Sequence, residues 1–168
     1  MRLATEACGP PAFEQLSPLK VTSLLCRARL LQHAAQAGTP PLLLLRGKKL
    51  GVLRETQDDA ALALFRRAAE ELGAHVATMR SGLSASSAPQ DVQHTARMLG
   101  RLYDAVECQG MAPALVQQIA RHAGIPVCEG AAMESHATAR LAGLLGDTSA
   151  LADNRRFVLQ ALLLESMA

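Results

Sequence analysis

Two adjacent carboxylates, Asp58 and Asp59, stand where an apolar run gives way to a helical pattern, within the stretch Leu50–Phe65. The start of a helix after a strand is a common place to hold a phosphate, because its free backbone N–H groups and its dipole attract anions. Carboxylates at this position repel an anion. The residues therefore oppose the chemistry that the local scaffold favours.

The simplest role for Asp58 or Asp59 is to cap the helix and complement its dipole, since Asp is among the preferred N-cap residues. The alternative is that the pair holds a divalent ion or an amine. The four cysteines have neither C-x-x-C nor finger spacing, which argues against a structural zinc site and a disulfide framework. We predict no metal site, and no pattern indicates a cofactor.

Composition excludes several classes of protein. The chain has 168 residues, of which 49% are apolar, enough for one domain with a sizeable core. Aromatic residues make up 2%, and the net charge of +2 comes without a basic run, so we expect no nucleic-acid partner. No apolar run approaches the ~18 residues of a membrane span, and the first residues lack a secretory core. We expect a cytoplasmic chain with no membrane partner.

Strands and helices are predicted to alternate after a first helix that runs from Ser17 and Pro18 to about Gln36. The strand predictions are 49–53, 75–79, 104–108 and 125–128, with helices over 59–72, 90–102 and 112–123. This alternation predicts a three-layer α/β fold, a four-stranded parallel sheet with helices on both faces. The expected core includes Val52, Leu53, Val76, Ala105, Val106, Ile125 and Val127.

Ligands of such sheets bind beyond the carboxyl ends of the strands, here residues 54–60, 80–88, 109–112 and 129–138. Two more helices are predicted, over about 134–145 and over 149–166, with Asp147 placed to cap the last one. Residues 1–14 are expected to form a loose arm, and residues 15–168, including the C-terminal helix, a single domain.

Several motifs resemble the aspartate/ornithine carbamoyltransferase family. D-V-Q-H-T-A-R-M-L-G-R-L-Y-D-A-V over 91–106 is similar to the ornithine enzyme's D-T-A-R-V-L-G-R-x-Y-D, with His94 in place of the first acid. A-G-I-P-V through Gly130 resembles A-G-V-P-V-x-N-G, and E-S-H over 134–136 resembles E-F-H-P. D-N-R over 153–155 resembles the E-N-R of the terminal helix. The resemblance implies the carbamoyl-phosphate domain plus the C-terminal helix, with the second domain absent and a junction near Gly146.

The family's phosphate-binding residues do not carry over to this chain. Ungapped matching places Asp58, Asp59, Ala60, Ala61 and Leu62 on the family's S-T-R-T-R signature. Gln109 stands at a further arginine, and Ala139 at the glutamine three residues after the motif histidine. Three positive charges are lost and two negative charges gained. A carboxylate ~4 Å from a phosphate charge costs on the order of 4 kcal/mol at an effective dielectric near 20, so we expect carbamoyl phosphate binding to be lost.

Only His136, Thr138 and Arg155 remain of the family's polar set. His136 and Arg155 are interpreted as inherited groups that link the last two helices, or as the remnant of a polar site. A metal cluster of Cys108, Cys128 and His136 is the weaker alternative to two small buried thiols. The loop over 81–89 matches one that crosses to a neighbouring subunit in the family, but it contains no Lys or Arg.

The leading hypothesis is therefore a degenerate carbamoyltransferase that serves as a binding, regulatory or assembly module in amino-acid metabolism. The resemblance implies a trimer, and a full-length carbamoyltransferase is a second candidate partner. The apolar run Pro40–Leu45 is the patch that assembly is expected to hide. The alternative is a small-molecule sensor or enzyme that reuses the strand-end cleft for another ligand. An active carbamoyltransferase is the least favoured hypothesis.

Overall fold

A computed structural model of the protein describes residues 16–168, so the arm predicted over 1–14 lies outside the described part. The six helices of this part are α1 (Pro18–Gln36), α2 (Asp59–Glu71), α3 (Pro89–Leu102), α4 (Pro113–Ala123), α5 (Ala137–Gly143) and α6 (Leu151–Ser166). The four strands are β1 (Lys49–Arg54), β2 (His75–Arg80), β3 (Ala105–Gln109) and β4 (Val127–Glu129). None of these helices combines the length and apolarity needed to cross a bilayer.

The strands form one parallel sheet in the order β2-β1-β3-β4. The predicted three-layer α/β fold is confirmed. A larger core cluster lies on one face of the sheet, under α1, α2, α5 and α6. A smaller one lies on the other face, under α3 and α4. Covering both faces buries β1 and β3, as parallel sheets require.

Of the predicted core residues, Val52, Leu53, Ala105, Val106 and Val127 are buried. Val76 is only half-buried because it lies on β2, the edge strand. Ile125 is also half-buried, since β4 begins two residues later than predicted, at Val127.

Local signals in the sequence position the helices. The Ser17 hydroxyl accepts a hydrogen bond from the backbone N–H of Lys20 at 3.2 Å, and Pro18 opens α1. Helices α3 and α4 meet at Gly100, where an added Cβ would lie 1.9 Å from the carbonyl oxygen of Ala123. Only glycine permits that approach.

The junction between the last two helices differs from the prediction. Helix α5 spans seven residues rather than 134–145, and the N-cap position of α6 is Ala150, without a side-chain cap. The prediction that Asp147 caps α6 is wrong, because the helix starts too late for its carboxylate to reach the free N–H groups. Asn154 organises the junction instead: its Nδ2 donates to the Gly146 carbonyl at 2.9 Å, and its Oδ1 accepts from Gln32 Nε2 at 3.0 Å.

Candidate functional site

The carboxyl ends of three strands lie side by side at one edge of the sheet. Arg54 ends β1 and is aligned with Arg80 of β2 on one side and with Gln109 of β3 on the other. A cleft of about 460 Å³ opens between the ends of β1 and β2. It is lined by Arg54, Glu55, Thr56, Gln57, Thr78, Met79, Arg80 and Ser81.

At the start of α2, both carboxylates are engaged by the protein itself. Asp58 is the N-cap, and its Oδ1 accepts a hydrogen bond from the Ala61 N–H at 3.0 Å. Asp59 is exposed, and its Oδ1 lies 3.3 Å from Nη2 of Arg54. The capping role expected for this pair is therefore filled by Asp58, while Asp59 forms an ion pair.

The next three positions offer no side-chain donor to an anion. Ala60 is exposed, Ala61 is buried in the larger core cluster, and Leu62 packs against that cluster. The first turn of α2 thus presents two negative side chains and three apolar ones, where the resemblance places hydroxyls and guanidinium groups.

Gln109 is fully buried at the end of β3, and neither polar atom of its amide has a hydrogen-bond partner among residues 16–168. The Nε of Arg54 is likewise buried without such a partner, although Nη2 of that side chain meets Asp59. Burying a polar atom without a hydrogen bond costs stability. This edge of the sheet is therefore polar but incompletely paired.

Sequence reasoning placed Arg54 and Arg80 within the strand-end segments over 54–60 and 80–88 but did not single them out as site residues. Each directly follows a predicted strand, and parallel pairing of β1 with β2 aligns the two residues. That position was the only signal in the sequence, since neither residue belongs to a motif.

His136 is buried and sits at the N-cap of α5, where its Nδ1 accepts a hydrogen bond from the Thr138 N–H at 3.2 Å. Burial lowers the pKa of His136 to about 4, so the imidazole is neutral near pH 7. The Thr138 hydroxyl donates to the Ala131 carbonyl at 2.7 Å. The methyl group of Ala139 is half-buried beside them and replaces the family's glutamine with an apolar side chain.

Arg155, on α6, contacts the segment between β4 and α5 at a point other than His136. Its Nη2 donates to the Ala132 carbonyl at 3.0 Å, and its Nη1 lies 3.8 Å from the exposed carboxylate of Glu134. Within the described residues no hydrogen bond or ion pair joins Arg155 to His136. This geometry favours the interpretation that both residues hold the segment over 131–138 against α5 and α6.

Cys108 and Cys128 lie on adjacent strands but on opposite faces of the sheet, because Cys108 is aligned with Glu129 and Cys128 with Glu107. Cys108 belongs to the smaller core cluster and Cys128 to the larger one. The alternative of a cluster of Cys108, Cys128 and His136 is therefore wrong. Residues 16–168 contain no group of three His, Cys, Asp or Glu side chains arranged to hold a metal ion.

The sequence matches the family described as aspartate/ornithine carbamoyltransferase, carbamoyl-P binding domain, over residues 12–146. It is 35% identical over 126 residues to an ornithine carbamoyltransferase of Actinobacillus pleuropneumoniae, a match that covers 75% of this chain and 37% of the relative. A catabolic ornithine carbamoyltransferase of Burkholderia mallei is 36% identical over 122 residues, covering 73% of this chain and 36% of the relative. The chain thus spans little more than a third of these relatives.

Solved structures share the fold at lower identity. Ornithine carbamoyltransferase from Pyrococcus furiosus superposes with a TM-score of 0.69 at 21% identity, over 85% of this chain and 46% of that one. The catalytic subunit of M. jannaschii aspartate transcarbamoylase gives 0.66 at 19% identity, over 82% of this chain and 45% of that one. The match over residues 12–146, the identity with the relatives and the shared fold all indicate the same family. The chain belongs to the aspartate/ornithine carbamoyltransferase family.

Proposed function

We propose that this chain is a carbamoyltransferase-like domain that has lost carbamoyl phosphate binding and transferase activity. It acts in the cytoplasm as a binding, regulatory or assembly module of amino-acid metabolism. The observation that carries the proposal is the start of α2, where Asp58 occupies the helix N-terminus with the protein's own charge.

The electrostatics of this edge support the loss of function. A charge-assisted hydrogen bond contributes ~1.5 to 3 kcal/mol, and three guanidinium groups of the family are absent at Ala60, Leu62 and Gln109. Arg54 does not replace them, because its Nη2 faces Asp59 and its Nε is buried. A phosphate at the start of α2 would lie beside two carboxylates, one of which is paired with Arg54.

The test is an assay for citrulline and carbamoyl-aspartate formation, with a full-length carbamoyltransferase as positive control. We expect no product from this chain with ornithine or with aspartate. Product formed at a rate that scales with the concentration of this chain, and that survives its repurification, would overturn the proposal.

An assembly role receives support from the edge strand β2, on which His75, Ala77, Thr78 and Arg80 are all exposed. A parallel edge strand with exposed side chains is a surface that association would cover. The run Pro40–Leu45 supports an assembly role only in part. Leu42, Leu43 and Leu44 are exposed and could be covered by a partner, but Leu45 is already buried in the core.

We expect the chain to form a trimer, or to assemble with a full-length carbamoyltransferase. Light scattering over a tenfold dilution tests the first, with an expected mass near three times the 17.8 kDa of one chain. Size-exclusion chromatography with the full-length enzyme tests the second. A constant mass of one chain in both experiments would refute the assembly role.

A second function is favoured by the 460 Å³ cleft, because Arg54, Arg80 and Glu55 give it charges of both signs. Such a cleft suits a sensor or an enzyme for a small ligand other than carbamoyl phosphate. The two functions differ in the effect of Asp58→Ala. The sensor hypothesis predicts weaker ligand binding, whereas the assembly hypothesis predicts only the loss of a helix cap.

A further inference from the structure

A second and larger cavity, of about 880 Å³, lies between α1 and α6. Its walls come from α1, the segment over 38–44, the end of α2 and α6, so it shares no residue with the strand-end cleft. The lining is mainly apolar, with Leu30, Leu31, Leu42, Leu44, Phe157 and Leu164 as its large side chains. We call this cavity the α1 groove. Its volume falls in the range of sites for small molecules, which is roughly 300 to 1,000 Å³.

One cation of the α1 groove, Arg27, has no counter-ion among the described residues. Arg27 is half-buried in the wall formed by α1, and no carboxylate or hydrogen-bond acceptor among residues 16–168 contacts its guanidinium group. Arg156 also lines the groove, but it is engaged by Glu71 at 2.8 Å and by Asp153 at 3.2 Å. A half-buried, unpaired guanidinium beside an apolar wall is a good receptor for a carboxylate.

The remaining charges of the groove do not neutralise Arg27. Among the described residues that line the groove, Glu71 is the only acidic side chain, and it already accepts from Arg67, Arg156 and Gln160. Helix α1 carries Lys20, Arg27 and Arg29 and contains neither Asp nor Glu. A second copy that laid its own α1 into the groove would bring like charges together, which disfavours that occupant.

We propose that the α1 groove binds a small amphipathic carboxylate. Its aliphatic or aromatic body lies against the leucines and Phe157, and its carboxylate meets Arg27. The apolar wall supplies most of the binding free energy through burial, and the guanidinium supplies the selectivity for an anionic head group. This ligand site is independent of the proposed loss of transferase activity.

Calorimetry with decanoate as the probe tests the proposal, and decyltrimethylammonium, with the same tail and the opposite charge, is the control ligand. We expect saturable binding of one decanoate per chain and much weaker binding of the ammonium compound. Arg27→Gln should weaken decanoate binding about tenfold, the effect of one charge-assisted hydrogen bond. Lys20→Gln removes the same charge from α1 outside the groove and should leave the affinity unchanged.

Cys26 provides a readout that does not depend on heat of binding. It is exposed and lines the groove, whereas Cys108 and Cys128 are buried, so in a Cys8→Ser background thiol labelling reports on the groove. Decanoate should slow the labelling of Cys26. Ala35→Phe, which adds bulk to the lining without changing a charge, should abolish both protection and binding.

Equal affinity for the two probes, or unchanged decanoate binding in Arg27→Gln, would overturn the proposal. So would decanoate that leaves Cys26 labelling unaffected. Labelling that slows with protein concentration alone would show that a second copy covers the groove, and would likewise contradict it.

Discussion

Two polar regions of this molecule differ in how completely their hydrogen-bonding groups are paired. One is the α5–α6 junction around Asn154, and the other is the strand-end edge, formed by Arg54, Arg80 and Gln109 at the carboxyl ends of β1, β2 and β3. At the junction, Asn154 donates to Gly146, accepts from Gln32, and also accepts from the Ser149 hydroxyl. At the strand-end edge, the amide of Gln109 and the Nε of Arg54 are buried without a hydrogen-bond partner among the described residues. Among residues 16–168, the polar atoms of the Asn154 side chain are paired within the protein, whereas the Gln109 amide and the Arg54 Nε are not.

The difference separates polar groups that organise the fold from polar groups that the described residues leave unpaired. Buried polar groups that organise a fold are hydrogen-bonded, because each unmet group costs stability. Groups that face a ligand can lack protein partners. At the strand-end edge, the buried Gln109 amide and Arg54 Nε have no hydrogen-bond partner among residues 16–168, so the contrast with the junction is one of hydrogen bonding.

The largest effect is expected at the junction. Asn154→Ala removes three hydrogen bonds and leaves Gln32 and the Gly146 carbonyl short of a partner, so it should lower the free energy of unfolding by about 3 kcal/mol. Urea unfolding followed by circular dichroism measures it. Asp147→Ala is the matched control and should change stability by less than about 0.5 kcal/mol, because Asp147 is exposed and does not cap α6. Similar losses in the two variants would contradict the role assigned to Asn154.

Acidic pH should lower the free energy of unfolding through His136, at the start of α5. The pKa of His136 is lowered by burial to about 4, so between its unfolded pKa and that value the unfolded chain binds more protons than the folded one. The contribution of the neutral imidazole is present above about pH 6.5 and is lost as the pH falls toward 4.

The expected loss from His136 is about 2 kcal/mol between pH 7 and pH 5. Unfolding curves at the two pH values measure it. His136→Asn keeps an N-cap acceptor but does not titrate, and it should remove this part of the pH dependence. An unchanged pH dependence in that variant would show that other groups govern acid sensitivity.

Substitution at the strand-end edge should raise the free energy of unfolding instead of lowering it. Gln109→Leu replaces an amide that lacks a hydrogen-bond partner with an apolar side chain of similar size, so we expect a gain of about 1 kcal/mol in stability. Differential scanning calorimetry measures the rise in melting temperature. A clear loss of stability would mean that the Gln109 amide has a partner in solution, and would weaken the contrast between the two regions.

An effect of similar size, but destabilising, is expected at the start of α2. Asp58→Ala removes the N-cap and should cost about 1 kcal/mol, whereas Asp58→Ser retains a capping oxygen and should cost less. Chemical unfolding of the pair measures the difference. Equal stability of the two variants would argue that capping is not the role of Asp58.

Periodicity and the family's motifs were sufficient to predict the sheet, its parallel strands and a cap on α2 from Asp58 or Asp59, which the structure assigns to Asp58. They did not predict the features that depend on tertiary contacts, namely the start of α6 and the register of the strands. Asp147 looked like a cap because it precedes the last helix, but the start of α6 is set by packing around Asn154. The separation of Cys108 from Cys128 depends on strand register, which the sequence does not reveal. Likewise, Arg54 and Arg80 are aligned only because β1 pairs with β2.

Isothermal titration calorimetry with carbamoyl phosphate is the direct test of the proposed loss of carbamoyl phosphate binding at the strand-end edge. A full-length carbamoyltransferase titrated under the same conditions shows that the ligand and the method are sound. We expect no measurable binding to this chain at millimolar ligand, because Asp58 and Asp59 stand at the helix N-terminus and the positions Ala60, Leu62 and Gln109 carry no guanidinium group. A micromolar dissociation constant would contradict it.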